Sequence, residues 1–315
     1  MSNIFANFRY SEGNATGEPT KKVHTSICKA AATSRKVFDP SQAVEKLRYF
    51  KQTSRLMTSV DDFQKFFAEI KISQNENFPF CVLCAGILGT QTHDSVAIKA
   101  TRVLIEACGG QLSAAALIKF SQQEITELIK FCNFFNNKGK YIFGLAQILF
   151  SKPVVLADFK YLTSLPGVGP KIANLTLDVA FDRPHDGLVV DTHVHRLSAR
   201  IGWTTSAANP EQTRHALEAL CPNTIWSELT LLLINLGQSL CLSQPKCNLC
   251  PLRDGCLYSS MGNKKFKADD GHMLLEYEEE RNESFAAVSS VEKVGEQGAR
   301  LDVEVILKKR KQDAK

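Results

Sequence analysis

The sequence is organised around a short glycine turn between two segments with helical apolar periodicity. The turn is Leu165–Lys171 (Leu-Pro-Gly-Val-Gly-Pro-Lys), in which a proline occupies the position where a new helix would begin. Apolar residues recur at helical spacing on both sides, at Val155, Phe159, Leu162 and Leu165 before the turn and at Ile172, Leu175 and Val179 after it. The pattern predicts two helices that bury facing stripes across a tight turn.

The two glycines make this turn a candidate phosphate-binding site. Gly167 and Gly169 leave backbone N–H groups uncovered at the positive end of the second helix, where anions are stabilised. Such a contact would hold a phosphate group without recognising a base edge. A Gly-x-Gly turn is also compatible with a plain helix–turn–helix corner, which is the alternative for this segment.

Two charged residues favour chemistry at the turn. Lys171 lies on the first turn of the second helix, where the helix dipole and desolvation favour its neutral, nucleophilic amine. Twenty residues later an apolar run ends at Asp191, which is placed to N-cap the next helix. We expect Asp191 to cap that helix and to face Lys171. The alternative is that Lys171 only contacts phosphate and Asp191 only caps.

The turn, the later segment Val190–Arg196 (Val-Asp-Thr-His-Val-His-Arg) and a cysteine cluster near the end of the body together resemble endonuclease III. This is a family of helix-hairpin-helix DNA glycosylases and lyases that act on oxidised pyrimidines. The motif sequences are most similar to those of its eukaryotic branch. The resemblance covers residues 78–258. It implies that Lys171 attacks the sugar to form a Schiff base, that Asp191 assists, and that the strand is cut 3′ to the abasic site by β-elimination.

Four of the ten cysteines form that cluster, at Cys241, Cys247, Cys250 and Cys256. Four thiols on one short, proline-bent loop indicate a metal site, and they favour a [4Fe–4S] cluster over zinc, which usually takes two separated Cys-x-x-Cys pairs. The family pattern has six residues between the first two cysteines, whereas this chain has five. One residue spans only about 3.5 Å, so we expect the loop to close. Lys246, on this loop, is expected to meet a phosphate.

The resemblance also implies two residues that open the duplex. A base must leave the stack before chemistry can reach it, so the gap must be held open. The resemblance places Gln91 where the family inserts a polar side chain into that gap. It places Phe134 where the family has an apolar wedge, which would unstack a neighbouring base step. The alternative for Phe134 and Phe135 is burial in the core.

Composition limits the class of protein and its partners. Residues 1–260 carry 27 basic and 21 acidic residues, an excess that suits a polyanion. No apolar run approaches a membrane span, and ten cysteines without a secretory signal indicate a reducing compartment. We therefore expect a monomer that binds double-stranded DNA with a damaged base or abasic site, without membrane contact. Cys81 and Cys84, despite their Cys-x-x-Cys spacing, are expected to pack in the core.

The body shows no convincing strand alternation, so we expect an all-α fold of two helical lobes with the DNA cleft between them. The first lobe spans residues 73–185 and is closed by the helix-hairpin-helix motif; the second joins residues 41–72 to 186–260 and carries the cluster loop. Residues 1–40 are expected to form a mobile arm, and residues 261–315 a mostly disordered tail with one candidate edge strand. The basic run 308–311 is typical of a nuclear localisation signal. The N-terminal arm is compatible with a mitochondrial transit peptide, which stays an alternative.

Two rival functions remain open at the level of sequence. An adenine-type glycosylase of the same fold would use water and leave the strand intact, but that branch lacks a lysine at the position of Lys171. A DNA-binding module without catalysis would use the same turn only to contact phosphate. Borohydride trapping on abasic DNA distinguishes both from a lyase.

Overall fold

The computed structural model describes residues 37–54, 57–152, 155–205 and 208–261, and every regular element within them is a helix. The all-α prediction is therefore confirmed for this part of the chain. The predicted arm at 1–40 and tail at 261–315 lie almost wholly outside the described residues. The α-helices are α1 (Pro40–Ser54), α2 (Ser59–Gln74), α3 (Phe78–Leu88), α4 (Asp94–Ala107), α5 (Ala114–Leu117), α6 (Gln122–Leu128), α7 (Phe135–Ser151), α8 (Phe159–Ser164), α9 (Pro170–Phe181), α10 (Thr192–Ile201), α11 (Pro210–Leu220), α12 (Trp226–Ser239) and α13 (Leu257–Met261).

A first hydrophobic core is built around α3. This helix is apolar on every face, and Leu83, Ile87 and Leu88 are fully buried. Burial of each such side chain contributes roughly 1.5–3 kcal/mol relative to exposure. Helix α9 packs closely across it at Gly86, where an added Cβ would lie 2.8 Å from Ile172 Cγ2. The second helix of the hairpin is therefore held directly against the most buried helix of this core.

Helices α1, α10 and α12 form a second core with the segment that precedes α10. Its buried residues include Leu188, Val194, Leu197, Leu229 and Leu233. The cysteines Cys241, Cys250 and Cys256 pack at its edge, so the predicted cluster loop adjoins this core. None of the described helices has both the length and the apolar run needed to cross a lipid bilayer.

The structure divides residues 41–72 between the two cores, whereas the sequence analysis assigned them all to the second lobe. Helix α1 packs in the second core through Val44 and Leu47, but α2 packs in the first through Phe66, Phe67 and Ile70. The physical reason is the aromatic stripe of α2, which is covered by α3 and α4. A sequence-local boundary could not show which core those rings would fill.

Two polar networks join the cores. Asp61 of α2 accepts from Lys51 of α1 (2.5 Å) and from Asn235 of α12 (3.2 Å). Asp94, the first residue of α4, accepts from the Gln238 side chain at the end of α12 (3.2 Å). These carboxylates lie on helices of the first core and accept donors from helices of the second, so they fix the cores against each other.

Candidate functional site

Helices α8 and α9 form the predicted hairpin, and the geometry of its turn requires one glycine. Gly167 has a left-handed backbone, with φ +74°, and an added Cβ would lie 2.7 Å from Tyr141 Cγ. Only glycine adopts this conformation readily and leaves room for the tyrosine stem. Val168 is buried beside it and anchors the turn to the first core.

The second glycine has a different environment. Gly169 is the N-cap of α9 and has an extended backbone, with φ −91° and ψ 179°, and Pro170 follows as the first helical residue. No atom lies within 4 Å of a Cβ placed on Gly169. The backbone at the positive end of α9 is therefore uncovered, which is the environment expected of a phosphate contact.

Lys171 lies exposed on the first turn of α9, and Asp191 is the half-buried N-cap of α10. The Asp191 carboxylate accepts a hydrogen bond of 2.8 Å from the Val194 amide through Oδ1. The predicted cap is present, and it fixes the carboxylate at the positive end of α10.

The chain after α9 runs back along that helix. The Arg183 amide donates to the Leu177 carbonyl (2.9 Å), and five residues later the Leu188 carbonyl accepts from Asn174 Nδ2 (3.4 Å). The contacts thus move one helical turn toward the start of α9 as the chain advances. Asp191 therefore comes to the end of α9 that carries the candidate nucleophile.

The charges of Lys171 and Asp191 both affect the pKa of His193, which lies on the first turn of α10. Burial, together with the positive charges of Arg196 and Lys171, lowers the pKa of the His193 imidazole below its ordinary value. The carboxylates of Asp191 and Asp94 act in the opposite direction. One imidazole thus feels the charges of both predicted catalytic residues.

Arg196 fixes the orientation of this imidazole. Its Nη2 lies 3.3 Å from His193 Nδ1, and because a guanidinium can only donate, Nδ1 accepts and the proton of the neutral ring is on Nε2. The same Nη2 donates to the carbonyls of Gly237 (3.2 Å) and Cys241 (2.8 Å). The ring packs closely against Gly237, where an added Cβ would lie 2.6 Å from Nδ1.

The four predicted ligands line one open pocket. Its walls include Cys241, Cys247, Cys250 and Cys256 together with Arg200, Lys246 and Arg253. Within the described residues, no three His, Cys, Asp or Glu side chains converge on a position for a single ion. Four thiols around a shared space suit a cuboidal cluster that takes one cysteine per iron.

Arg200 holds the shortened first spacer. Its Nη1 donates to the Leu242 carbonyl (2.5 Å), its Nη2 donates to the Ser243 carbonyl (3.2 Å), and Nη1 lies 3.5 Å from Cys241 Sγ. The five-residue spacer therefore closes around the cavity. Burial raises the pKa of the Cys250 thiol to about 12, so the thiolate form needs a cationic group beside it. The residues present fit an iron–sulfur cluster.

Gln91 and Phe134 share an unusual backbone. They are two of the four non-glycine residues with positive φ in the described part of the chain, at 49° and 56°. Both side chains are exposed, Phe134 to 54%, so its alternative assignment to the core does not hold. Phe135 packs against the first core instead. The two predicted wedge residues thus project from neighbouring loops, and Asn133 Nδ2 donates to the Gln91 carbonyl (2.9 Å).

Lys138 is the lysine that a search for perturbed amines would select. Burial lowers its pKa to about 8. However, only 2% of its surface is exposed, and Nζ donates to the Leu88 carbonyl (2.8 Å) and to Thr92 Oγ1 (2.5 Å). A sugar carbon cannot approach this amine, whereas Lys171 is exposed beside Asp191. Accessibility therefore favours Lys171 as the nucleophile.

The contacts that support the site from the protein interior are not evident from the sequence. Lys246 was identified and is exposed at the rim of the cavity. His193 and Arg196 belong to the segment already singled out, so their proximity to Asp191 was available, but the contacts of Arg196 with α12 were not. Lys138 is the lysine of the Asn-x-Lys step that follows Phe134 in the family pattern, but its contacts could not be predicted, because its main partner is a backbone carbonyl fifty residues away.

Comparison with known proteins gives the same family. The model described as HhH-GPD superfamily base excision DNA repair protein matches residues 84–223. The chain is 34% identical over 187 residues to endonuclease III of Thermotoga maritima, covering 58% of this chain and 85% of that protein. It is 38% identical over 182 residues to endonuclease III-like protein 1 of Bos taurus, covering 56% of this chain and 57% of that protein. The chain thus spans little more than half the length of this bovine relative.

Solved structures agree with the sequence comparison. A trapped endonuclease III–DNA covalent intermediate matches with a TM-score of 0.54 at 28% identity, over 65% of this chain and 99% of that one. A non-covalent endonuclease III–DNA complex matches with a TM-score of 0.54 at 27% identity, over 65% and 98%. A thermostable thymine-DNA glycosylase shares the fold, with a TM-score of 0.58 at 20% identity over 71% and 98%. With its hairpin, its capped α10 and its coverage of the Thermotoga protein, the chain belongs to the endonuclease III family of helix-hairpin-helix base excision repair DNA glycosylases.

Proposed function

We propose that the protein is a bifunctional DNA glycosylase and abasic-site lyase that removes oxidised pyrimidines from double-stranded DNA. The observation that carries the proposal is the proximity of Lys171 and Asp191 to one imidazole at the open end of the hairpin. An exposed amine beside a carboxylate has the two groups that Schiff-base chemistry at a sugar requires. The uncovered Gly169 backbone supplies a phosphate contact next to them.

The chemistry proceeds in two stages. Neutral Lys171 Nζ attacks C1′ of the damaged nucleotide, the bond from C1′ to the base breaks, and the base leaves with its bonding electrons and takes a proton. Asp191 accepts the proton of the lysine ammonium or stabilises positive charge on the sugar. The nitrogen then loses a proton, the C1′–O4′ bond breaks as O4′ takes a proton, and the nitrogen lone pair forms an iminium at C1′. Loss of a 2′ proton then expels the 3′ phosphate, and hydrolysis releases the lysine.

We propose that the cysteine loop holds a [4Fe–4S] cluster, with Cys241, Cys247, Cys250 and Cys256 as its ligands. When bound, the cluster supplies a cross-link that stabilises the loop. Base removal and β-elimination need no electron transfer. The loop presents Lys246 at its surface, where its ammonium can contact a DNA phosphate.

Borohydride trapping on DNA with an abasic site tests the lyase proposal. Wild-type protein should form a stable adduct, and Lys171→Gln should bind the DNA but form none. Lys160→Gln, which removes an exposed lysine from the other helix of the hairpin, is the matched control and should trap normally. Base release without an adduct by the wild type would indicate a water-using glycosylase. DNA binding with neither activity would indicate a binding module.

A further inference from the structure

Lys138 contacts two loops that carry the candidate wedge residues. We define the Gln91 loop as residues 89–93, between α3 and α4, and the Phe134 loop as residues 129–134, between α6 and α7. The backbone N–H of Lys138 donates to the Phe134 carbonyl (3.0 Å). Its ammonium crosses to the other loop and donates to Leu88, the last residue of α3, and to Thr92. One residue thus bonds to both loops.

The geometry of the Gln91 loop depends on this ammonium. Thr92 Oγ1 donates to the Thr90 carbonyl (3.3 Å), so its oxygen accepts the bond from Lys138. The cation also lies at the carboxyl end of α3, where carbonyls without helical partners and the helix dipole favour positive charge. Removal of the ammonium would leave a buried carbonyl at Leu88 without this donor and loosen the turn that presents Gln91.

Both loops hold a backbone conformation that needs support. A non-glycine residue in the left-handed region costs on the order of 1–2 kcal/mol and persists where the surroundings fix it. Gln91 and Phe134 both have this conformation, and the bond from Asn133 to the Gln91 carbonyl is a second tie between the loops. The strained residues and the ties that join them therefore occur together.

We propose that Lys138 is a positioning residue that makes Gln91 and Phe134 a single rigid wedge, so that both side chains enter the duplex in one step. This inference rests on the proposed function and adds to it the means by which duplex opening is organised. Lys138 itself contacts neither the base nor the sugar, because it is buried behind the two loops. Its loss should impair opening of the duplex and leave the Schiff-base chemistry intact.

The test compares two substrates with Lys138→Met, which keeps an unbranched buried side chain and removes the ammonium. An abasic site in single-stranded DNA needs no duplex opening, whereas a damaged pyrimidine in a duplex does. We expect single-turnover base release from the duplex to fall by about tenfold or more, from the lost charged hydrogen bonds. Borohydride trapping on the single strand should stay within about twofold of the wild type.

The fluorescence of a base analogue measures directly how far the protein unstacks the duplex beside the lesion. 2-Aminopurine placed beside the lesion becomes brighter when it is unstacked, and Lys138→Met should lose most of the increase that wild-type protein produces. Asn133→Ala, at an exposed position that makes one tie to Gln91, should show the same pattern at smaller size without a risk to folding. Lys140→Met removes an exposed charge from the same helix and is the matched control, which should leave all readouts unchanged.

A double-mutant cycle on Gln91 and Phe134 tests whether the two residues act as one unit. In the wild-type background, Gln91→Ala, Phe134→Ala and the double variant should slow duplex base release to similar extents, because a rigid wedge fails as a unit. In the Lys138→Met background the effects should become additive. Equal losses on single-stranded and duplex DNA, or additive effects in the wild type, would overturn the inference. Wild-type protein that traps on neither substrate would instead overturn the proposed function.

Discussion

The guanidinium of Arg196 donates a hydrogen bond of 2.8 Å to the carbonyl of Cys241. The same nitrogen lies against His193 Nδ1, so one side chain connects the first cysteine of the loop to the imidazole beside Lys171 and Asp191. A displacement of the loop would therefore alter the orientation of that imidazole. The cysteine loop is thus joined through Arg196 to the imidazole that feels the charges of Lys171 and Asp191.

Arg196→Lys should lower both stability and turnover. An ammonium keeps the charge but cannot reproduce the planar fork, so at least one of the bonds to His193, Gly237 and Cys241 should be lost. Loss of a hydrogen bond to a charged donor costs roughly 1.5–3 kcal/mol. Urea unfolding should report that loss, and iron content should fall with it. Unchanged stability with unchanged iron would show that the connection carries no energy.

Asp191→Asn separates the cap from the chemistry. Asparagine accepts the Val194 amide bond as well as aspartate does, so the free energy of unfolding should fall by well under the roughly 1 kcal/mol that loss of a cap costs. Base release and trapping should nevertheless collapse, because an amide cannot accept a proton. Asp191→Ala should lose both. Near-normal turnover in folded Asp191→Asn would reduce the residue to a cap.

The two hairpin glycines should respond differently to alanine. Gly167→Ala places a Cβ 2.7 Å from Tyr141 in a left-handed residue, so we expect a loss of about 2–4 kcal/mol of stability. Gly169→Ala meets no atom within 4 Å and keeps an allowed backbone, so its stability should fall by less than about 1 kcal/mol. DNA affinity of Gly169→Ala should drop if the methyl group blocks a phosphate. Equilibrium unfolding and fluorescence anisotropy with DNA measure the two effects, and an unchanged affinity would remove Gly169 from the interface.

Features of the site that depend on neighbouring residues could be predicted from the sequence, and features that depend on distant contacts could not. The hairpin turn and the Asp191 cap are set by neighbouring residues, so spacing and residue type were sufficient to find them. The assignment of α2 to a core depends on which distant helices cover Phe66 and Phe67, and local pattern misplaced it. The left-handed backbone of Gln91 has no residue signature, because the contacts that hold its loop come from Asn133 and Lys138, about forty to fifty residues away. The loops that carry Gln91 and Phe134 were therefore located by resemblance and not by pattern.

The cysteine loop should bind about four irons per chain. Protein purified without exposure to oxygen should be brown, with broad absorbance near roughly 400 nm. Cys250→Ser should lower iron content and DNA affinity before it changes trapping by Lys171 on single-stranded abasic DNA, because metal binding and folding of the loop are coupled. Stoichiometric zinc without iron in such protein would exclude the cluster and leave the glycosylase assignment intact.

Lys138 should give the folded protein a stability component that rises with pH. Burial lowers the pKa of its ammonium from the ordinary 10.5 to about 8 in the folded state. Below pH 8 the group is charged in both states and its burial costs stability; above 10.5 it is neutral in both and that cost is absent. Between these values the unfolded chain binds more protons, so the contribution rises with pH by at most about 3 kcal/mol.

To isolate this component, the free energy of unfolding is measured by urea unfolding for the wild type and for Lys138→Met at several pH values from 7 to 10. The quantity of interest is the wild-type value minus the variant value at each pH. The buried thiols make the folded protein less stable as pH rises through the same range, because burial raises the pKa of Cys132 to about 11 and of Cys81 to about 12. The unfolded chain therefore loses the thiol protons first. Both proteins contain these thiols, so the titration of Cys81 cancels in the difference. The titration of Cys132 cancels only in part, because the charge of Lys138 lowers the pKa of that thiol in the wild type. The difference should move in favour of the wild type as pH rises from 8. A flat difference would mean that the ammonium is already well solvated by its hydrogen bonds, and one that moves toward the variant would contradict the direction of the pKa shift.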